Sequence, residues 1–174
     1  MKLYVVRHGQ TEANVNHLFN GRNERDLTEF GVEQANSLAD RMKTISIDLI
    51  FSSPLKRARH TANILNINNI EIIPDDRLIE RDYGKFTLKS VDLIKDRRSK
   101  LYDLENNEIK EIESYKSIYD RVVSFIEEIK EKYADKNILV VTHGDVVIAI
   151  QEYFNQKNEI QPKTCELIEY TVEL

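Results

Sequence analysis

Two short stretches and two isolated side chains hold this chain's most reactive groups: Arg7-His8-Gly9, Arg57, Glu80 and Thr142-His143-Gly144. Arginine presents parallel N–H donors that match phosphate oxygens, so Arg7 and Arg57 suit a compact dianion. Neutral imidazole attacks phosphorus well and can carry a phosphoryl group covalently. Neighbouring arginines disfavour imidazolium and keep a ring nitrogen free near neutral pH. One of the two histidines, His8 or His143, can serve as such a nucleophile, and the other as a second donor to the transferring oxygens. A carboxyl group beside bound phosphate resists ionisation, which suits Glu80 to protonating a leaving oxygen. Two guanidinium charges would repel a divalent metal, and only one nearby group is a carboxylate, so no metal or other cofactor is expected.

The elements that must position these groups follow from the apolar pattern. Leu3–Val6 is continuously apolar, as in a central strand covered on both faces. Ile47–Phe51, Ile70–Ile73 and Asn137–Val141 read as further buried strands, the third group closing the list and Pro74 closing the second. The stripe Val32, Ala35, Leu38, Ala39 and Met42 predicts a helix over 29–43. Ser53-Pro54 reads as an N-cap with proline at the first helical position, opening a helix to Leu65 with Arg57 near its start. Ile118, Val122, Phe125, Ile126 and Ile129 predict a helix over 116–133, and 146–154 is an almost wholly apolar one. Ile168, Tyr170, Val172 and Leu174 alternate with polar residues, as in a strand with one wet face near an edge. Residues 84–114 lack a clean period and read as a surface excursion with one helix.

Strands alternating with helices predict an α/β fold, a three-layer α/β/α sandwich with a mostly parallel sheet. In such sheets ligands sit beyond the carboxyl ends of the strands. His8, Ser53, Glu80 and His143 all follow predicted strands. Gly9 there is expected to let the backbone approach a phosphate closely.

Bulk properties narrow the class. A chain of 174 residues with 41% apolar content has the length of one domain, taken as 1–174, and can bury a core. With 25 Lys and Arg against 30 Asp and Glu the net charge is −5, which argues against a nucleic-acid partner bound through a basic field. One cysteine, Cys165, allows no internal disulfide and suits a reducing compartment. No apolar run is long enough for a signal peptide or a membrane span, so a cytoplasmic location without membrane partners is expected. His17, His60 and Cys165 read as structural.

Five segments, RHGQTEAN, GRNERDLTEFGVEQA, SSPLKRARHTA, LIERDYG and VVTHGDVV, occur in an order that resembles the histidine phosphatase superfamily, the phosphoglycerate mutase-like proteins. The resemblance implies a metal-independent phosphomonoesterase acting on a small phosphorylated metabolite through phosphohistidine on His8. Arg7, Arg57 and His143 would form the phosphate pocket, and Glu80 would act as proton donor and then as base for water. Asn14 and the backbone at Gly144 would add phosphate contacts. Asn20, Gly21 and Arg22 match a loop that touches the rest of the substrate. Two stretches depart from the pattern. Gly84-Lys85-Phe86-Thr87 stands where relatives often carry an aromatic followed by Glu-Gly, and Glu113-Ser114 resembles a Gly-Glu-Ser motif without its glycine. A short variable insertion at about 84–115 lies between them, in the segment that helps set substrate choice in the family. The absence of a long insertion or tail favours hydrolysis over the alternatives, a phosphoglycerate mutase or a protein phosphohistidine phosphatase. A monomer or homodimer is expected.

Overall fold

The computed structural model describes residues 1–156 and 162–172. Five strands form one sheet in the order β3-β2-β4-β1-β5. They are β1 (Lys2–Arg7), β2 (Leu49–Ser52), β3 (Ile72–Pro74), β4 (Asn137–Thr142) and β5 (Leu167–Thr171). The first four are parallel, and β5 pairs antiparallel with β1 at an edge. The mixed sheet and its flanking helices agree with the expected α/β/α layering.

The continuous apolar runs have a plain cause, since both faces of β1 and β4 are covered. Leu3, Val5, Ile138 and Val140 pack with α5 (Tyr115–Lys132) and α6 (Gly144–Tyr153). Their neighbours Tyr4, Val6, Leu139 and Val141 pack with α2 (Glu29–Met42) and α3 (Lys56–Leu65) on the other side. On β5, Tyr170 is buried while Glu169 and Thr171 are exposed, as the alternation predicts. Leu174, the last residue of that pattern, lies outside the described residues. Cys165 is buried just ahead of β5, and its N–H donates to the Arg7 carbonyl at 2.9 Å.

Two expectations change. Ser53-Pro54 does not open α3, which begins at Lys56 after an extended Leu55 that offers no side-chain cap. The Ser53 hydroxyl is engaged instead by His143 Nε2 at 2.6 Å. Residues 84–114 do contain one short helix, α4 (Arg97–Leu101), but they are more than a surface excursion. Tyr83, Ile94, Leu101 and Ile112 close over Phe19 to form a small core of their own. Its contacts join residues far apart in sequence, so no local period announces it. The remaining short helix, α1 (Glu12–Val15), turns the chain after the first strand.

Candidate active site

The sheet register sets the centre of the site. Arg7 pairs with Thr142 across the adjacent parallel strands β1 and β4, so the residues that follow them, His8 and His143, emerge side by side. Their ring centroids are 5.1 Å apart. Ser52 pairs with Val141 on the other side of β4, which brings Ser53 beside His143. Beyond β3 the chain makes a tight turn, Asp76–Leu78, and the Leu78 carbonyl accepts from Thr142 Oγ1 at 2.7 Å. That bond brings the Glu80 loop to the end of β4.

His8 is fully buried, and its Nδ1 lies 2.7 Å from the Gly9 carbonyl. A carbonyl only accepts, so Nδ1 carries the proton and Nε2 keeps its lone pair. Arg57 Nε donates to that Nε2 at 3.3 Å. Burial, with the charges of Arg57 and Arg7, holds the His8 imidazole well below its ordinary pKa. Arg57 is itself anchored by the Asn23 and Gly21 carbonyls, at 2.8 and 2.7 Å. Burial lowers it only to about 10, which leaves it cationic at neutral pH. His143 is also buried and held well below its ordinary pKa, first by burial and then by Arg57.

Two buried polar atoms at this point have no hydrogen-bond partner among the described residues: Arg7 Nε and His143 Nδ1. A buried unpaired donor costs about 1–3 kcal/mol, so pairs of them mark places made for a ligand. Arg7 is otherwise held through Nη1, which donates to the Pro162 carbonyl at 2.7 Å. Glu80 is 5% exposed, and its Oε1 accepts from the Arg81 N–H at 2.9 Å. Burial and the Asp145 carboxylate push its carboxyl up to about 7, against the pull of Arg57 and Arg7.

The loop residues divide. The Asn14 carbonyl oxygen caps α1 by accepting from Thr11 N–H at 2.9 Å, so its NH2 group is left for the adjoining cleft. Asn20 is tied to Thr11, its Nδ2 donating at 3.0 Å. Gly21 has φ +56°, and its carbonyl serves Arg57. Arg22 donates to the Glu80 carbonyl at 3.1 Å and pairs with Glu113 at 3.2 Å. Gly144 opens α6 without any side-chain cap, so first-turn N–H groups there are available to an anion. Gly9 makes a close approach to protein, since a Cβ there would lie 2.5 Å from the Gly31 carbonyl.

A cleft of about 1180 Å³ runs from Glu80, Asn14 and Asp145 outward between α6 and residues 91–102. Exposed Lys95, Arg97 and Arg98 line it, as do Asp92, Asp96 and Glu152. This charge is mixed rather than polyanion-selective. Among the described residues no three His, Cys, Asp or Glu side chains gather as a metal-ligand set. No described helix is long and apolar enough to cross a membrane.

Residues 3–171 match the histidine phosphatase superfamily, branch 1. The chain belongs to that superfamily. Phosphoserine phosphatase 1 of Hydrogenobacter thermophilus is 35% identical over 149 residues, covering 82% of this chain and 71% of the relative. The adenosylcobalamin/alpha-ribazole phosphatase of Escherichia coli K12 is 31% identical over 155 residues, covering 84% and 75%. The structure of a Bacillus anthracis phosphoglycerate mutase superposes with a TM-score of 0.85 at 26% identity, covering 97% of this chain and 86% of the other. This histidine phosphatase is an enzyme of the small-metabolite phosphatase kind. Sequence reasoning missed Asp145, Tyr83 and Tyr102, whose association spans more than forty residues of chain. The only local signal was an acid two residues after His143, at a helix start.

Proposed function

We propose that this histidine phosphatase hydrolyses a phosphomonoester in two steps, with His8 Nε2 as the nucleophile. The observation that carries the reading is the His8 hydrogen-bond pattern, with Nδ1–H donated to Gly9 and the Nε2 lone pair turned to Arg57. The phosphoryl group enters between these two. Its oxygens replace Nε2 as acceptor for Arg57 and take up the unpaired Arg7 Nε–H. They also take His143 Nδ1–H in the tautomer where the Ser53 hydroxyl donates to Nε2. Nε2 attacks phosphorus, the P–O ester bond breaks, and protonated Glu80 gives its proton to the leaving alkoxide. Water then attacks the phosphohistidine. Ionised Glu80 takes the water's proton, and the N–P bond breaks to release inorganic phosphate and free His8. Asn14 Nδ2 and the Gly144 N–H assist the oxygens from the two sides.

The leaving alcohol occupies the cleft beside α6. Its mixed lining and the phosphatase relatives favour a small polar metabolite. The single cysteine suits a cytoplasmic setting, and the two guanidinium charges suit a site with no resident metal. Rapid quench with a 32P-labelled phosphate ester should yield an acid-labile, base-stable protein phosphate that is absent from His8→Ala. The same variant should lose at least 10³-fold in kcat, and chelator should leave wild-type turnover in place. Labelling that persists in His8→Ala would place the nucleophile elsewhere.

A further inference from the structure

The inner wall of the cleft holds a second buried carboxylate that the two-step reaction leaves without a task. Asp145 is 1% exposed at the start of α6 and lines the same cleft as Glu80. Both of its oxygens are occupied by phenols. Tyr83 donates to Oδ2 at 2.6 Å and Tyr102 to Oδ1 at 2.7 Å. Arg81, itself 1% exposed, stands 3.8 Å from Oδ2. A carboxylate that accepts two hydroxyl protons beside a guanidinium is bound as the anion, because a proton on either oxygen would compete with those donors. Glu80 has a different environment. One oxygen accepts a single backbone N–H, and no side chain donates to either oxygen among the described residues.

Resting on the reading of Glu80 as proton donor, we infer that Asp145 is a positioning residue for that proton: the phenol-clamped anion keeps the one proton of the carboxyl pair on Glu80. Two carboxyl groups in one dry site cannot both ionise cheaply, and the better-solvated anion decides which keeps the proton. Here Tyr83 and Tyr102 supply that solvation. Burial and the Asp145 charge raise both phenols well above their ordinary pKa, so they remain donors at any working pH. The other charges facing Glu80 are Arg7 at the end of β1 and Arg57 on α3, both opposing its protonation. Arg22, from the loop after α1, is held at the Glu80 carbonyl. His8 and His143 are neutral, and Tyr83 and Tyr102 feel the Glu80 charge from the cleft side. Burial is the first force that keeps the proton on Glu80, and the two cations close by pull against it. The Asp145 anion offsets them.

The test compares an alkyl phosphate with an activated aryl phosphate across pH 5–9. Wild type should lose alkyl-ester turnover on an alkaline limb as Glu80 ionises. Glu80→Gln should slow the alkyl ester at least tenfold more than the aryl ester; equal losses would remove Glu80 from the acid role and the inference with it. Given that result, Asp145→Asn should move the alkaline limb for the alkyl ester down by about one pH unit. That is about a tenfold loss on the limb, with a smaller loss on the aryl ester. Adding Asp145→Asn to Glu80→Gln should cost less than twofold more, since Asp145 acts through Glu80. The Tyr83→Phe/Tyr102→Phe pair, which keeps both rings, should move the limb the same way and decides the matter if Asp145→Asn does not fold. A limb that stays in place, or full additivity with Glu80→Gln, would show a purely structural Asp145 and overturn the inference.

Discussion

At the scale of single residues, the mount of His8 depends on two glycines that carry no Cβ. Gly9 and Gly31 face each other where the loop after β1 crosses the first turn of α2, and an added Cβ at Gly31 would meet the Gln10 carbonyl at 2.2 Å. Neither glycine is there for a left-handed backbone; close packing of two main chains is the reason. Gly31 sits inside a helix, where alanine should gain about 1 kcal/mol in propensity. The clash is with backbone, which cannot swing aside, so Gly31→Ala should lose at least about 2 kcal/mol net. Because Gln10 is two residues from His8, kcat should also fall about tenfold. Urea unfolding and aryl phosphate turnover measure the two effects, and a stabilised, fully active variant would contradict the packing account.

At the scale of elements, register and one buried arginine do most of the positioning. The β1–β4 pairing delivers the two imidazoles, and a one-residue slip of either strand would turn its own imidazole away from the other. Arg81 organises the segment 84–114. Its Nε donates to the Glu113 carbonyl and its Nη1 to the Leu101 carbonyl, both at 2.7 Å, and its guanidinium lies 5.8 Å from the ring centres of Tyr83 and Tyr102. One side chain thus ties the Glu80 loop, the end of α4 and the approach to α5. Arg81→Met keeps the bulk but leaves those carbonyls unpaired, at a cost of about 2–4 kcal/mol. Amide exchange should accelerate by at least tenfold across 84–114, while the central amides of β1 and β4 keep most of their protection. Uniform acceleration through the sheet would mean that the insertion and the sheet unfold as one unit.

At the scale of the whole molecule, the buried site leaves a signature in stability against pH. His8 and His143 are held neutral in the fold below their ordinary pKa of 6.5. Below that pH the unfolded chain takes up two protons that the folded chain refuses, so stability falls as pH falls. Glu80 acts in the opposite sense, since its folded pKa is raised from 4.5 to about 7. Over pH 4.5–6.5 the folded chain holds that proton and the unfolded chain releases it, so its contribution declines as pH rises. The net expectation is a rise in stability of about 1.4 kcal/mol per pH unit over that window, from one net proton. Glu80→Gln removes the opposing proton and should steepen the slope to about 2.7 kcal/mol per unit. Exposed carboxylates with lowered pKa, such as Glu111 and Glu128, lose their contribution below this window. Chemical unfolding at four pH values checks both slopes, and a flat wild-type profile would be incompatible with two neutral buried imidazoles.

The order of elements and the gathering of Arg7, His8, Arg57 and His143 at one edge of the sheet could be read from the chain alone. Apolar runs and helical stripes are short-range patterns, and reactive groups placed directly after strands fall on one edge of any parallel sheet. Tertiary structure alone decided what faces the His8 Nε2 lone pair, because Arg57 arrives there from 49 residues away. It also gave Ser53 to His143 rather than to a helix end, and Arg22 to Glu80 and Glu113. Asp145 met its two phenols, Tyr83 and Tyr102, only through the folding of a stretch without periodicity. Such partnerships follow from where the packed core brings distant segments together, and no local pattern encodes that meeting.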